Sequence, residues 1–63
     1  MFVVNERVSW FAEGRLMTGR VIDIENHENE RCYLLLEDGR HPRNGFYARY
    51  ADSLRSLTTT TGA

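Results

Sequence analysis

The chain is 63 residues long with a formal charge of −1, 41% hydrophobic and 27% charged residues, and a single cysteine. A domain of ~60 residues buries only about 60% of its unfolded surface, so one domain with a small core is expected, and multidomain enzymes and repeat arrays are excluded. No run reaches the ~20 apolar residues of a spanning helix, and Met1-Phe2-Val3-Val4 gives way to Asn5-Glu6-Arg7 before a signal-peptide core can form, so a cytoplasmic protein with no membrane partner is expected.

The first strand is read at residues 6–11, where Val8 and Trp10 fall on one face, and Ala12-Glu13-Gly14 supplies its exit turn. Residues 16–24 form a longer second strand rich in β-branched side chains, and Gly19 inside it signals a bulge or sharp bend. Strict alternation puts Val21 and Ile24 in opposite phases; one extra residue at a bulge brings both to the same core. Residues 26–30 are polar throughout and read as an exposed loop. The third strand, residues 31–36, is apolar on both faces, which means that it is covered twice or that its outer face meets a partner.

Asp38-Gly39 is a tight-hairpin signal, and Pro42 and Asn44-Gly45 extend the irregular region after it. An aromatic fourth strand follows at residues 45–50, then a single helical turn at 51–54 capped by Asp52, then a brief fifth strand at 55–57. Residues 58–63, four threonines and Gly-Ala, have no apolar anchor and read as a disordered tail behind a domain of residues 1–57. Five short strands punctuated by turns predict an all-β fold, a small five-stranded barrel with one short helical turn before its last strand.

The runs Arg7-Val8-Ser9-Trp10, Gly19-Arg20-Val21-Ile22-Asp23-Ile24, Tyr33-Leu34-Leu35-Leu36-Glu37-Asp38-Gly39-Arg40 and Asp52-Ser53-Leu54-Arg55-Ser56-Leu57 together resemble the small SH3-like barrels of the Tudor and KOW type over residues 6–57. In those families a Gly-x-Val-x-x-Ile run forms a bent second strand, and a Tyr-rich third strand ends in an Asp-Gly turn. The resemblance implies the fold and leaves the activity open.

Every basic residue is an arginine, and four of the eight lie in the stretch 40–55, where Arg40, Arg43, Arg49 and Arg55 face Asp52 alone for a net charge of +3. They are interleaved with Phe46, Tyr47 and Tyr50. Guanidinium groups pair with phosphates or carboxylates while rings stack on bases or cations, so the mixture suits single-stranded nucleic acid or a protein partner. Residues 21–39 form the opposite pole, with six acids against Arg31 and a net charge of −5, which confines any phosphate-binding surface to the other side or draws a basic partner, including a second copy. A small core also needs large rings. Tyr33 and Phe46 are assigned to it, leaving Trp10, Phe11 and Tyr47 toward solvent.

The candidate binding residues are therefore Trp10, Phe11, Arg43, Tyr47, Arg49 and Tyr50. Cys32 with His27 and His41 makes no metal-ligand spacing, so Cys32 is read as a small strand residue and both histidines as loop residues; no metal and no cofactor are expected. Ser53 beside Asp52 lacks a nucleophile elbow, and no catalytic residue is assigned. Type II dihydrofolate reductases are SH3-like barrels of similar size that build one pore from four chains, but they line it with a Val-Gln-Ile-Tyr segment where this chain has Phe46-Tyr47-Ala48-Arg49-Tyr50 and no Gln at all. The expectation is a non-catalytic module that binds a protein partner or itself, with nucleic-acid binding as the alternative and a reductase as the remote one.

Overall fold

The structure, a computed structural model, describes residues 1–39 and 45–57. The strands are β1 (Arg7–Ala12), β2 (Arg15–His27), β3 (Glu30–Glu37), β4 (Phe46–Tyr50) and β5 (Arg55–Ser56), with a 3-10 turn at Ala51–Ser53 between the last two. All neighbours are antiparallel, and the five-stranded sheet has the order β4-β3-β2-β1-β5. No helix among the described residues is long and apolar enough to cross a membrane.

Two tight hairpins set the registers. Ala12 pairs with Arg15 across Glu13-Gly14, and both turn residues have positive φ (53° and 75°). That is the mirror-image turn whose twist matches the flanking strands. The second hairpin closes His27 on Glu30 across Glu28-Asn29, again with both φ positive. The polar segment 26–30 is thus a two-residue turn rather than an open loop, and His27 is the last residue of β2. Its acids are exposed, Glu28 in the turn itself and Glu30 in phase with the outer face of β3.

Asp38-Gly39 behaves differently from a tight hairpin. The Glu37 N–H donates to the Gly45 carbonyl, so β3 and β4 close at that pair and not across Asp38-Gly39. Asp38 turns back onto β2, its N–H donating to the Thr18 carbonyl, while its carboxylate accepts from Thr18 Oγ1 at 3.0 Å and pairs with the Arg7 guanidinium. Residues 40–44 and 58–63, including the expected irregular segment at Pro42 and the expected tail, lie outside the described residues.

The β2–β3 register slips between Val21 and Asp23, leaving Ile22 as the extra residue of a bulge. Val21 then packs in the core and Ile24 against it, as the phase argument requires. The bulge is not at Gly19. That glycine serves a close approach: a Cβ there would lie 2.1 Å from the Leu36 carbonyl oxygen and 2.9 Å from the Trp10 ring, so only glycine lets β1, β2 and β3 converge.

Inward-facing Val8, Trp10, Ala12, Met17, Val21, Tyr33 and Leu35, with Leu54 below the 3-10 turn, form the core. Alternation assigns the other set on β3, Cys32, Leu34 and Leu36, to the outer face, where they pair with Tyr50, Ala48 and Phe46 of β4. The N-terminal residues strap the far side. Phe2 meets Tyr33 edge to face at 5.3 Å, the Asn5 N–H donates to the Val21 carbonyl and the Val21 N–H to the Glu6 carbonyl, and the Glu6 carboxylate accepts from the Val3 N–H and from Ser56 Oγ. These two bonds, the Ser56 hydroxyl foremost, hold the Glu6 carboxyl below the usual glutamate range.

Candidate functional site

The sheet curls enough for β4 to touch β1 across two intervening strands. Trp10 and Tyr47 rings lie 5.5 Å apart, and Arg49 sits with its guanidinium 5.6 Å from the centre of the Tyr47 ring. From there Arg49 donates twice, through Nη1 to the Ala48 carbonyl at 2.8 Å and through Nη2 to the Phe11 carbonyl at 3.4 Å.

The ladder phase explains why those two carbonyls need a donor. Antiparallel residues alternate between facing one neighbour and the other. The Glu37–Gly45 bond fixes the phase on β4, so Tyr47 and Arg49 bond β3 while Phe46, Ala48 and Tyr50 turn their backbone groups to the free edge. On β1 the Arg7 carbonyl accepts from Leu57, which places Ser9 and Phe11 on the β5 side. Since β5 is only two residues long, it ends before Phe11. One guanidinium therefore bridges the seam between two sheet edges.

Beside this bridge lies a groove of about 560 Å³ lined by Phe11, Arg49, the 3-10 turn, Leu54 and Arg55. Phe11 is 70% exposed and stands opposite Leu16, itself 60% exposed, so the pair forms an apolar lip on the outer face of the first hairpin. Arg49 and Arg55 give the floor positive charge, with Asp52 the counterweight. Asp52 lies within the 3-10 turn and does not cap it; the capping position is Tyr50, and no side chain caps the turn.

Of the six candidate residues, Phe11, Tyr47 and Arg49 come together at the seam. Tyr50 lies on the outer face, 41% exposed, with its hydroxyl 3.5 Å from His27 Nδ1, and His27 Nε2 is 3.1 Å from Glu25. Arg43 lies outside the described residues. Trp10, expected toward solvent, is 1% exposed: the strand alternation that places it beside Val8 sends both inward, and the ring fills the space that Gly19 leaves open. Its indole N–H is buried and has no hydrogen-bond partner among the described residues. Phe46 is corrected the other way. Tyr33 is buried as expected, but Phe46 is 47% exposed because Gly45 precedes it on the inward side and Tyr47 follows on the same side.

Leu16 and Arg55 were not singled out by the sequence. Leu16 was findable, since a two-residue turn at Glu13-Gly14 puts it opposite Phe11; Arg55 belonged to the basic stretch but joins the groove only through the fold. Among the described residues no group of three or more His, Cys, Asp or Glu side chains is placed to hold a metal ion. No protein family, curated protein or solved structure matches the chain.

Proposed function

We propose that this chain is a small SH3-like interaction module that takes an extended segment of a protein partner in the groove beside Arg49, without catalysis. Support for the barrel reading comes from the sequential strand order, the bulged second strand and the contact of β4 with β1. The observation that carries the binding reading is the convergence of an exposed Phe11 with Arg49 and Arg55 on one groove, at a stretch of β1 edge that no strand among the described residues pairs. An apolar side chain of the partner packs on Phe11 and Leu16, while a carboxylate pairs with the arginines.

The test is fluorescence anisotropy with labelled extended peptides that place an aliphatic or aromatic residue next to Asp or Glu. Phe11→Ser and Arg55→Ala are each expected to weaken binding by about tenfold. A flat titration for every such peptide overturns the reading. The same arginines and ring also suit a single strand of nucleic acid, and binding of oligothymidine that falls steeply with salt, in the absence of peptide binding, would move the assignment there.

A further inference from the structure

Going beyond the groove, we propose that β4 pairs edge to edge with β4 of a second copy, about a two-fold axis through Ala48, to give a dimer with one continuous ten-stranded sheet. Among the described residues β4 is an edge strand, and the groups it leaves open belong to Phe46, Ala48 and Tyr50. An antiparallel pair centred on Ala48 needs that phase: Ala48 meets Ala48, and Phe46 meets Tyr50, in three pairs that each exchange two backbone hydrogen bonds.

The side chains match in the same register. Phe46 lies across from Tyr50 of the second copy on the outer face, ring against ring. On the inner face Tyr47 lies across from Arg49 of the second copy, a cation over a ring, and the symmetry makes each contact twice. The segment Phe46-Tyr47-Ala48-Arg49-Tyr50 is complementary to itself read backwards, in aromatic character at its ends and in charge at its second and fourth positions. A shift of two residues one way sets Tyr47 against Tyr47 and Arg49 against Gly45, and the other way sets Arg49 against Arg49 with no ring opposite a ring, so this register is specified.

The outer face supports the same partner. Phe46, at 47% exposure, and Tyr50 cover only part of the apolar row of Leu36, Leu34 and Cys32 beside them, and joining two copies makes that row continuous. The cost falls on Arg49: Nη1 gives up the Ala48 carbonyl, which receives the Ala48 N–H of the second copy instead, and the guanidinium leaves the Phe11 carbonyl and its own Tyr47 ring for the ring of the second copy. Arg49 faces a tyrosine directly, and the two Arg49 side chains are diagonal neighbours rather than opposed.

The test is sedimentation velocity with the full chain and two variants. Wild type is expected to sediment as a dimer that dissociates on dilution. In Ala48→Pro the lost N–H points to the open edge, so the monomer keeps its β3 ladder and its circular dichroism, while self-association weakens by roughly tenfold or more. Ala48→Cys in a Cys32→Ser background is expected to form a disulfide-linked dimer under mild oxidation, since directly opposed residues sit ~5.5 Å apart at Cα; this variant decides the matter if the proline unfolds the chain. A wild-type monomer at high concentration, a dimer indifferent to Ala48→Pro in a folded variant, or an Ala48→Cys dimer that does not cross-link would each overturn the pairing. Peptide binding in the groove is measured separately with Phe11→Ser, so failure of either reading leaves the other standing.

Discussion

The sheet ends on one side in β5, two exposed polar residues tied down by the Glu6–Ser56 hydrogen bond, and on the other in β4, five residues long and three of them aromatic. Shortness and charge are the usual ways to stop an edge from recruiting another strand, and β5 uses both. On β4 the only comparable device among the described residues is Arg49, which covers a single carbonyl. The faces differ in the same direction. Outward positions on β2 carry Arg20, Asp23 and Glu25, while their neighbours on β3 and β4 carry Leu36 and Phe46, Leu34 and Ala48, and Cys32 and Tyr50. One flank of this molecule turns charged side chains outward, and the other carries an apolar and aromatic outer face.

The sharpest way to break this contrast is to place the same charge on either face of β3. Leu35→Glu puts a carboxylate at a fully buried position and is expected to abolish cooperative unfolding in urea, at a cost of several kcal/mol. Leu34→Glu, one residue away on the outer face, should keep the fold and change only association; equal unfolding of both would mean that the two faces are not distinct. Gly19→Ala comes next. Its Cβ would collide with the Leu36 backbone where the two flanks meet, and a loss of ~3 kcal/mol, at the upper end for overpacking, is expected from chemical denaturation.

Acid titration sharpens the β5 side. Because the folded Glu6 carboxyl is held below its unfolded value, chiefly by the Ser56 hydroxyl, its contribution is fully present above the unfolded value and disappears as pH falls through the folded one. Thermal melts of Ser56→Ala should therefore lose part of their acid-side slope while β4-mediated association is unchanged. The smallest effect belongs to the first hairpin. Glu13 has a φ of 53°, a conformation that asparagine or glycine adopts more easily, so Glu13→Asn should raise stability by about 0.5 kcal/mol and leave both edges as they are.

Strand positions and the phase reset near Val21 were legible because alternation and turn chemistry are local, and Tyr33 was assigned to the core because a small core needs large rings. What alternation could not assign was the side of β3 that faces inward, since Tyr33 and Leu35 are no more apolar as a set than Cys32, Leu34 and Leu36. That choice is made by Gly45 and Tyr47 across the ladder and by the packing around Trp10. Trp10 itself was misplaced although its phase with Val8 was plain: its size suggested a binding ring, and the space opened for it by Gly19 is visible only when three strands are brought together. Arg49 was readable as a basic residue among rings, but its bridge to the Phe11 carbonyl depends on a curl that no pattern in the sequence measures.

Ile22 has a consequence for how this chain tolerates deletion. Removing it would leave every β2–β3 pair in register and every neighbouring side chain on its own face, since it is the unpaired residue of the bulge. What would go is the local bend, and with it the reach of Arg49 across the seam. A flatter sheet with an uncovered aromatic margin favours open-ended stacking over a closed pair. Thioflavin fluorescence of the Ile22 deletion should rise where the parent chain stays dark, which would make a single surplus residue the safeguard against fibre growth.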